Sequence, residues 1–361
     1  MTPTAPHDHT TPRPDASSTA VMRRALVEPL TGVRLEEHPV PTHAAGEALI
    51  ASSLVGICGT DTHAVAGHHP FLTSAYVPGH EAVGAVAGLG EATTGLEVGQ
   101  RVLLKPNVAC GECVNCAAGR TNACEHLAWI GCDPSRALSG GMADYFVAPL
   151  TNLFPIPDDV DDETAALVEC LATPVHAVRI AGDLTGARVV VLGAGTIGAL
   201  TLVAARRAGA ATVVVTDTEP GKLERARRMG ADGAVDATAP DADEQIRAAL
   251  GGPADAVLDC VATERSLRQG VDVLRRAGTL LVVGVPPREA TLPMPIIQDF
   301  EIRIQGCAAY TEADVEAALG IARAGGIPVD ELVSATYPLD DLATAFEAAA
   351  ETSSGKVLVA H

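Results

Sequence analysis

The chain has 361 residues, 47% of them hydrophobic but only 3% aromatic, so it has room for two domains of roughly 150 residues with cores built from Ala, Val, Leu and Ile. Its 25 Lys and Arg stand against 45 Asp and Glu, a formal net charge of −20. That balance argues against nucleic acid or an anionic membrane as partner, since both demand positive surface, and reads as an acidic, soluble surface.

In chain order, residues 1–20 are rich in Pro, Thr, Ser and Ala and read as a disordered tail without a signal peptide, His7 and His9 included. No 18-residue apolar stretch is apparent, so no membrane span is expected. From Val21 to about Ala172, short alternating runs such as Ala48-Leu49-Ile50-Ala51 are closely punctuated by Gly and Pro, the pattern of a β-rich, loop-rich domain. The rhythm changes near Pro174. Apolar strands are predicted at 188–192, 212–216, 254–260, 279–284 and 301–306, with helices at 197–207, 220–229, 266–275 and 312–323. Such alternation implies an α/β fold with a parallel sheet and right-handed crossovers. A helix at 342–350 and a strand at 356–360 close the pattern.

Cys110, Cys113, Cys116 and Cys124 stand at C-x2-C-x2-C-x7-C in a loop that also contains Gly, Asn and Thr. Two-residue gaps let thiolates converge on one ion and would strain direct disulfides. Four thiolates complete a tetrahedral shell around Zn²⁺, so this zinc is expected to be structural. Nine cysteines, an odd number with four assigned to metal, fit a reducing cytoplasm better than a disulfide-stapled exterior.

Gly193, Gly195 and Gly198, with Ala194, Thr196 and Ile197 between them, form G-x-G-x-x-G at the junction of a predicted strand and helix. Glycines there allow a tight turn and close approach to a pyrophosphate, and the helix start supplies N–H groups and a positive dipole. Asp217 ends the next strand. A carboxylate there accepts ribose hydroxyls and repels a 2′-phosphate, which favours NAD over NADP. Val261 and Val285 fall at later strand ends, where a parallel sheet presents its ligand crevice. Arg225, Arg227 and Arg228 read as a solvated helix face.

Upstream, Cys58, His80 and Glu81 sit in the glycine-flanked turns GICGTD and PGHE, and Glu169 and Cys170 follow in VEC. A zinc held by Cys58, His80 and one further group would keep an open position, the condition for catalysis.

Taken in order, GICGTD, PGHE, the four-cysteine loop, VEC followed by PVHA, and the glycine fingerprint resemble the zinc-dependent medium-chain dehydrogenases/reductases of the alcohol dehydrogenase superfamily. The likeness runs from about Met22 to the last residues and is greatest to the sorbitol/polyol, butanediol and threonine dehydrogenase branch. It implies a Rossmann NAD-binding domain, doubly wound, over 174–305. A β-rich GroES-like catalytic domain is implied over 21–173 and 306–361, carrying the structural zinc loop at 106–126. It also implies a homodimer or homotetramer. By the same resemblance Cys58, His80 and Glu169 hold a catalytic zinc, and Glu81 orients that shell or enters it. Cys170 stands where relatives have Pro, so it competes with Glu169 as ligand; counting back from Val175-His176-Ala177 favours Glu169, and His176 becomes structural. Thr60 then touches the substrate oxygen, His63 ends a proton relay, and Lys356 meets the cofactor pyrophosphate. The implied reaction is hydride transfer between a secondary alcohol, diol or sugar-like alcohol and NAD. A ketone or aldehyde reductase using the same site, or a non-catalytic NAD-binding protein, are the alternatives. Phe71, Trp129 and Tyr310 are candidate pocket residues. The segment Cys307-Ala308-Ala309-Tyr310 lacks the arginine of polyol relatives, which weakens the expectation of a sorbitol-like substrate.

Overall fold

The computed structural model describes residues 20–91, 95–286, 288–351 and 355–361; His7, His9 and nearly all of the N-terminal tail lie outside the described residues. The runs Val189-Val190-Val191-Leu192 and Val213-Val214-Val215 are completely buried, as strands covered by helices on both faces must be. They belong to a six-stranded parallel sheet in the order Gly233–Asp236, Thr212–Asp217, Arg188–Leu192, Ala254–Asp259, Leu274–Val282, Arg303–Gly306. Chain order reverses between Arg188–Leu192 and Ala254–Asp259, so a crevice opens beyond their carboxyl ends, the place where a Rossmann sheet takes a dinucleotide.

Gly233–Asp236 and the helix Ala242–Leu250 escape the sequence reading. The strand has only four residues. The helix does carry a signal, because Ala242, Ile246 and Leu250 repeat every four residues and are its buried positions.

A second, seven-stranded sheet runs Val333–Pro338, Lys356–Ala360, Glu47–Gly56, Glu81–Leu89, Arg101–Leu104, Leu153–Pro155, with Tyr145–Pro149 also paired to Glu47–Gly56. Late residues thus complete an early sheet. Gly56 faces Leu358 on one side and Glu81 on the other, which brings Cys58, Glu81 and Lys356 to one end of three neighbouring strands. Gly56 is required there: a Cβ would meet the Glu81 carboxylate at 1.9 Å.

The two sheets share one core. Leu54, Val83 and Leu103 from the second sheet and Val189, Val191 and Leu281 from the first join a single cluster through Leu167, Val168 and Leu171 of the helix Asp162–Ala181. Asp161 caps this helix by accepting from Thr164 N at 2.8 Å. The helix continues through Pro174, so the expected domain boundary between residues 173 and 174 falls inside a continuous element. Proline removes one backbone hydrogen bond and crowds the preceding turn, but burial of the flanking turns against two sheets offsets that cost. This helix is also long and apolar enough to cross a membrane, contrary to the sequence expectation. Its residues 165–172 are all buried, so its apolarity serves the core.

Near its far end, His176 and Arg179 meet Asp314, which is only 1% exposed. Asp314 accepts from Arg179 Nε at 2.7 Å and Nη2 at 2.9 Å, from Thr311 N and Oγ1 at 2.8 Å each, and pairs with His176 Nδ1 at 2.9 Å. Burial alone would raise its pKa, but the bonds from His176, Arg179 and Thr311 hold it well below the usual carboxylate range. A depressed folded-state pKa adds stability that is present above the unfolded value of about 3.9 and is lost as pH falls toward the folded one. Asp314→Ala should therefore cost about 1–3 kcal/mol at neutral pH in urea denaturation, the loss of charged hydrogen bonds, and the variant's stability should fall less steeply than the wild type's below about pH 4.

Candidate active site

The Sγ atoms of Cys110, Cys113, Cys116 and Cys124 all lie within 4.8 Å of one another. Cys113 Sγ and Cys124 Sγ are 3.9 Å apart, close to the ~3.8 Å edge of a tetrahedron with ~2.3 Å Zn–S bonds. Backbone amides point at the sulfurs: Cys110 N and His126 N donate to Cys124 Sγ at 3.2 and 3.3 Å, and Cys116 N donates to Cys113 Sγ at 3.5 Å. Amides of Glu125 and Cys116 bring the Cys113 thiol down to about 6, and those of Cys110 and His126 lower Cys124. Burial and the neighbouring Cys113 sulfur push Cys116 up to about 12, so the amides favour thiolate at two of the four donors, and the convergence of four sulfurs is what suits a zinc ion.

Cys58, His80 and Glu81 bring a thiol, an imidazole and a carboxylate within 4.8 Å of one another. Glu81, Glu169 and Cys170 form a second such group, so Glu81 stands between the two alternatives. His80, Glu81, Glu169 and Cys170 are all buried. Burial lowers the pKa of His80, but the Cys132 and Cys58 sulfurs overcome this and hold it well above the ordinary value. Burial pushes Glu169 up to about 6, and the Glu81 charge adds to that. The sulfur, nitrogen and oxygen donors gathered there are those of a zinc site.

Lys356 is directed away from its expected partner. Its side chain is 5% exposed, and Nζ donates to Glu81 Oε1 and Oε2 at 2.6 and 2.7 Å and to Ile57 O at 3.1 Å. Burial alone would raise the Glu81 pKa, but this ammonium keeps it below the ordinary value. The pyrophosphate contact implied for Lys356 is therefore replaced by an internal ion pair, which follows from the strand pairing that sets Gly56 opposite both Leu358 and Glu81.

Thr60 and His63 lie on the short helix Gly59–Val65, three residues apart and hence on one face. Thr60 is half-buried and His63 exposed. Among the pocket candidates, Trp129 packs edge-on to His80 with ring centroids 6.4 Å apart. Phe71 is 76% exposed and joins no core. Tyr310 is buried and its hydroxyl donates to Glu169 Oε1, so it belongs to the acidic side of the site.

Two neighbours of His80 escaped the sequence reading. Asp61 is fully buried, accepts from Tyr76 Oη at 2.9 Å and from Cys58 N at 3.2 Å, and its charge acts on His80. Its place three residues after Cys58, in a helical first turn, was the available signal. Cys132 Sγ lies 3.4 Å from His80 Nδ1; nothing in its local sequence marks it.

The glycine fingerprint meets its structural requirements. Gly193 has φ +91, and a Cβ there would approach Val261 at 2.6 Å, so the first and fourth strand ends touch at the crevice. A Cβ on Gly198 would meet Gly193 O at 1.8 Å, which fixes close helix–strand packing. Gly195, the N-cap of the helix Thr196–Arg207, faces open space, as a phosphate-binding turn must. Asp217 Oδ2 accepts from Ala194 N at 2.7 Å, and Oδ1 from Thr218 N and Glu219 N at 2.8 and 3.0 Å. Val261 and Val285 are both exposed. Arg225, by contrast, is buried with Nη2 donating to Ala194 O at 2.7 Å, so it is not part of a solvated face.

Residues 44–158 match the family model of the alcohol dehydrogenase GroES-like domain, and residues 196–323 that of the zinc-binding dehydrogenase. L-galactonate-5-dehydrogenase of Escherichia coli (strain K12) is 36% identical over 313 residues, covering 86% of this chain and 90% of that protein. The chain belongs to the zinc-binding dehydrogenases. This dehydrogenase is accordingly an oxidoreductase acting on a CH–OH group. Its fold is shared by a Sinorhizobium meliloti 1021 protein described as a zinc-binding dehydrogenase and bound to NADP. That pair gives a TM-score of 0.87 at 30% identity, covering 95% of this chain and 100% of the other. A short chain alcohol dehydrogenase from E. coli CFT073, complexed with NADH, gives 0.87 at 26% identity, covering 94% and 99%.

Proposed function

We propose that this dehydrogenase oxidises a secondary alcohol, diol or sugar-like alcohol with NAD, using Cys58, His80 and Glu169 as ligands of a catalytic zinc. Glu81, whose two carboxylate oxygens accept from Lys356, orients that shell or enters it, and Cys110, Cys113, Cys116 and Cys124 hold a second, structural zinc. The observation that carries the reading is the incomplete shell itself, a thiol and an imidazole converging from two turns with buried carboxylates beside them. When bound, zinc supplies the Lewis acidity that lowers the pKa of a substrate hydroxyl, and NAD accepts the hydride.

The chain's own residues do the rest. Lys356 keeps Glu81 ionised and fixed. Asp61 sits under Cys58 and His80 and holds the first of these by its amide. Thr60 relays the proton of the substrate hydroxyl, accepting it as its own hydroxyl proton passes on toward His63, which is exposed on the same helix face and releases it to water. The L-galactonate-5-dehydrogenase relative supports a sugar-like substrate. Gly193, Gly195, Thr196, Ile197 and Gly198 cradle the pyrophosphate, while Val261 and Val285 border the nicotinamide half.

Relatives bound to NADP and to NADH both share this fold, and Asp217 is the residue that supports NAD. Asp217→Ala should weaken NAD by roughly 10- to 100-fold in KM, the loss of charged hydrogen bonds to the ribose, while NADP is affected far less. Steady-state kinetics with both cofactors measures this, and an unchanged NAD/NADP ratio removes Asp217 from the role. Nine unpaired cysteines support a reducing cytoplasmic setting. Arg303–Gly306 is an edge strand preceded by exposed Met294 and Ile296, which supports a homo-oligomer.

Metal analysis with a panel of alcohols and ketones, followed by nicotinamide absorbance, tests the whole reading. Two zinc ions per chain and NAD-linked turnover of a hydroxylated substrate are expected. One zinc per chain, or no NAD-linked turnover with any alcohol or ketone, overturns it.

A further inference from the structure

The segment Cys307–Tyr310 links the edge strand Arg303–Gly306 to the helix Glu312–Arg323 and is tied down along its length. Cys307 N donates to Val282 O at 2.9 Å. Ala308 O accepts from Asn122 Nδ2, and Tyr310 O from Asn107 Nδ2, each at 2.8 Å. The following residue, Thr311, is bound to Asp314 through its amide and its hydroxyl. Between these ties Ala309 has φ +49, a left-handed conformation that persists in a non-glycine residue only where the surroundings over-determine it.

Both side chains that grip this strap come from the four-cysteine loop and its approach. Asn122 lies between Cys116 and Cys124, and Asn107 three residues before Cys110. Asn107 is itself fixed, since its carbonyl accepts from Lys105 Nζ at 2.9 Å and from Asn152 Nδ2 at 3.0 Å. Asn122 Nδ2 also reaches His176 Nε2 at 3.3 Å. Glu169 and His176 are seven residues apart on the helix Asp162–Ala181, and so lie on one face. The strap runs along that face, with Tyr310 bonded to Glu169 and Asn122 to His176.

We propose that the four-cysteine loop is a positioning device for the active site: through Asn107 and Asn122 it sets the strap, and through Tyr310 the strap sets the Glu169 carboxylate beside Glu81. Tyr310 is then a positioning residue. It leaves Glu169 one oriented hydrogen bond and removes its freedom to rotate away from the metal shell. Outer partners of this kind change metal affinity by roughly 10- to 100-fold when deleted. The proposal rests on the two-zinc reading above.

The test is competition of the two-zinc holoprotein against graded chelator, with release from each site followed and a dissociation constant obtained for the weaker one. Tyr310→Phe deletes only the hydroxyl and should weaken the catalytic zinc by roughly 10-fold or more while the four-cysteine zinc is retained. Asn122→Ala, which touches neither Tyr310 nor Glu169, should weaken the same zinc in the same direction; Asn122→Ser serves should the alanine variant fold poorly. An unchanged dissociation constant in either Tyr310→Phe or the Asn122 variant overturns the proposal. A wild-type protein that carries only one zinc overturns the reading on which it rests, and is a separate result.

Discussion

Cys58→Ser should abolish turnover, by at least about 10³-fold, while NAD binding measured by fluorescence or calorimetry stays within about 3-fold of wild type. Serine preserves the volume of the side chain but exchanges a soft, readily ionised donor for a hydroxyl that holds its proton at neutral pH, so affinity for zinc collapses. The cofactor crevice is built by different strands, with Gly193, Gly195 and Gly198 in the six-stranded sheet and Cys58 beyond the end of Glu47–Gly56 in the other. Loss of metal should therefore leave the dinucleotide site intact. Zinc analysis should read one ion per chain in this variant. Retained turnover would remove Cys58 from the shell.

Lys356→Met should destabilise the fold by about 3–5 kcal/mol, because it leaves the buried Glu81 carboxylate without its counter-charge. The ammonium makes three bonds, two to Glu81 and one to Ile57 O, and methionine can replace its volume but none of these. Adding Glu81→Gln should recover a large part of the loss, since the pair then leaves no uncompensated charge. Urea denaturation of the two single variants and the double variant checks this as a thermodynamic cycle. Additive effects, with no recovery in the double variant, would show that the two residues stabilise the protein independently.

These two residues also mark the limit of what could be read from sequence. Val189–Leu192 and Val213–Val215 announce buried parallel strands because period and composition are local properties, and the glycine fingerprint carries its own steric reasons at Gly193 and Gly198. The four-cysteine loop is legible for the same cause: all its donors lie within 15 consecutive residues. Lys356 shows no such mark. Its partner Glu81 is fixed by strand pairing across most of the chain, and nothing near either residue specifies the register. Tyr310 and Glu169 meet for a similar long-range reason. The helix through Pro174 was hidden differently: a local breaker signal is present, and only packing against two sheets outweighs it.

The strand Lys356–Ala360 lies between Val333–Pro338 and Glu47–Gly56, with a consequence for how the chain matures. During synthesis the sheet begun by Glu47–Gly56 must wait, one edge uncovered, until Lys356–Ala360 leaves the ribosome. The cofactor-binding half lies wholly between those two strands and can assemble earlier. Newly made chains should therefore acquire a dinucleotide-binding module before a chemically competent one.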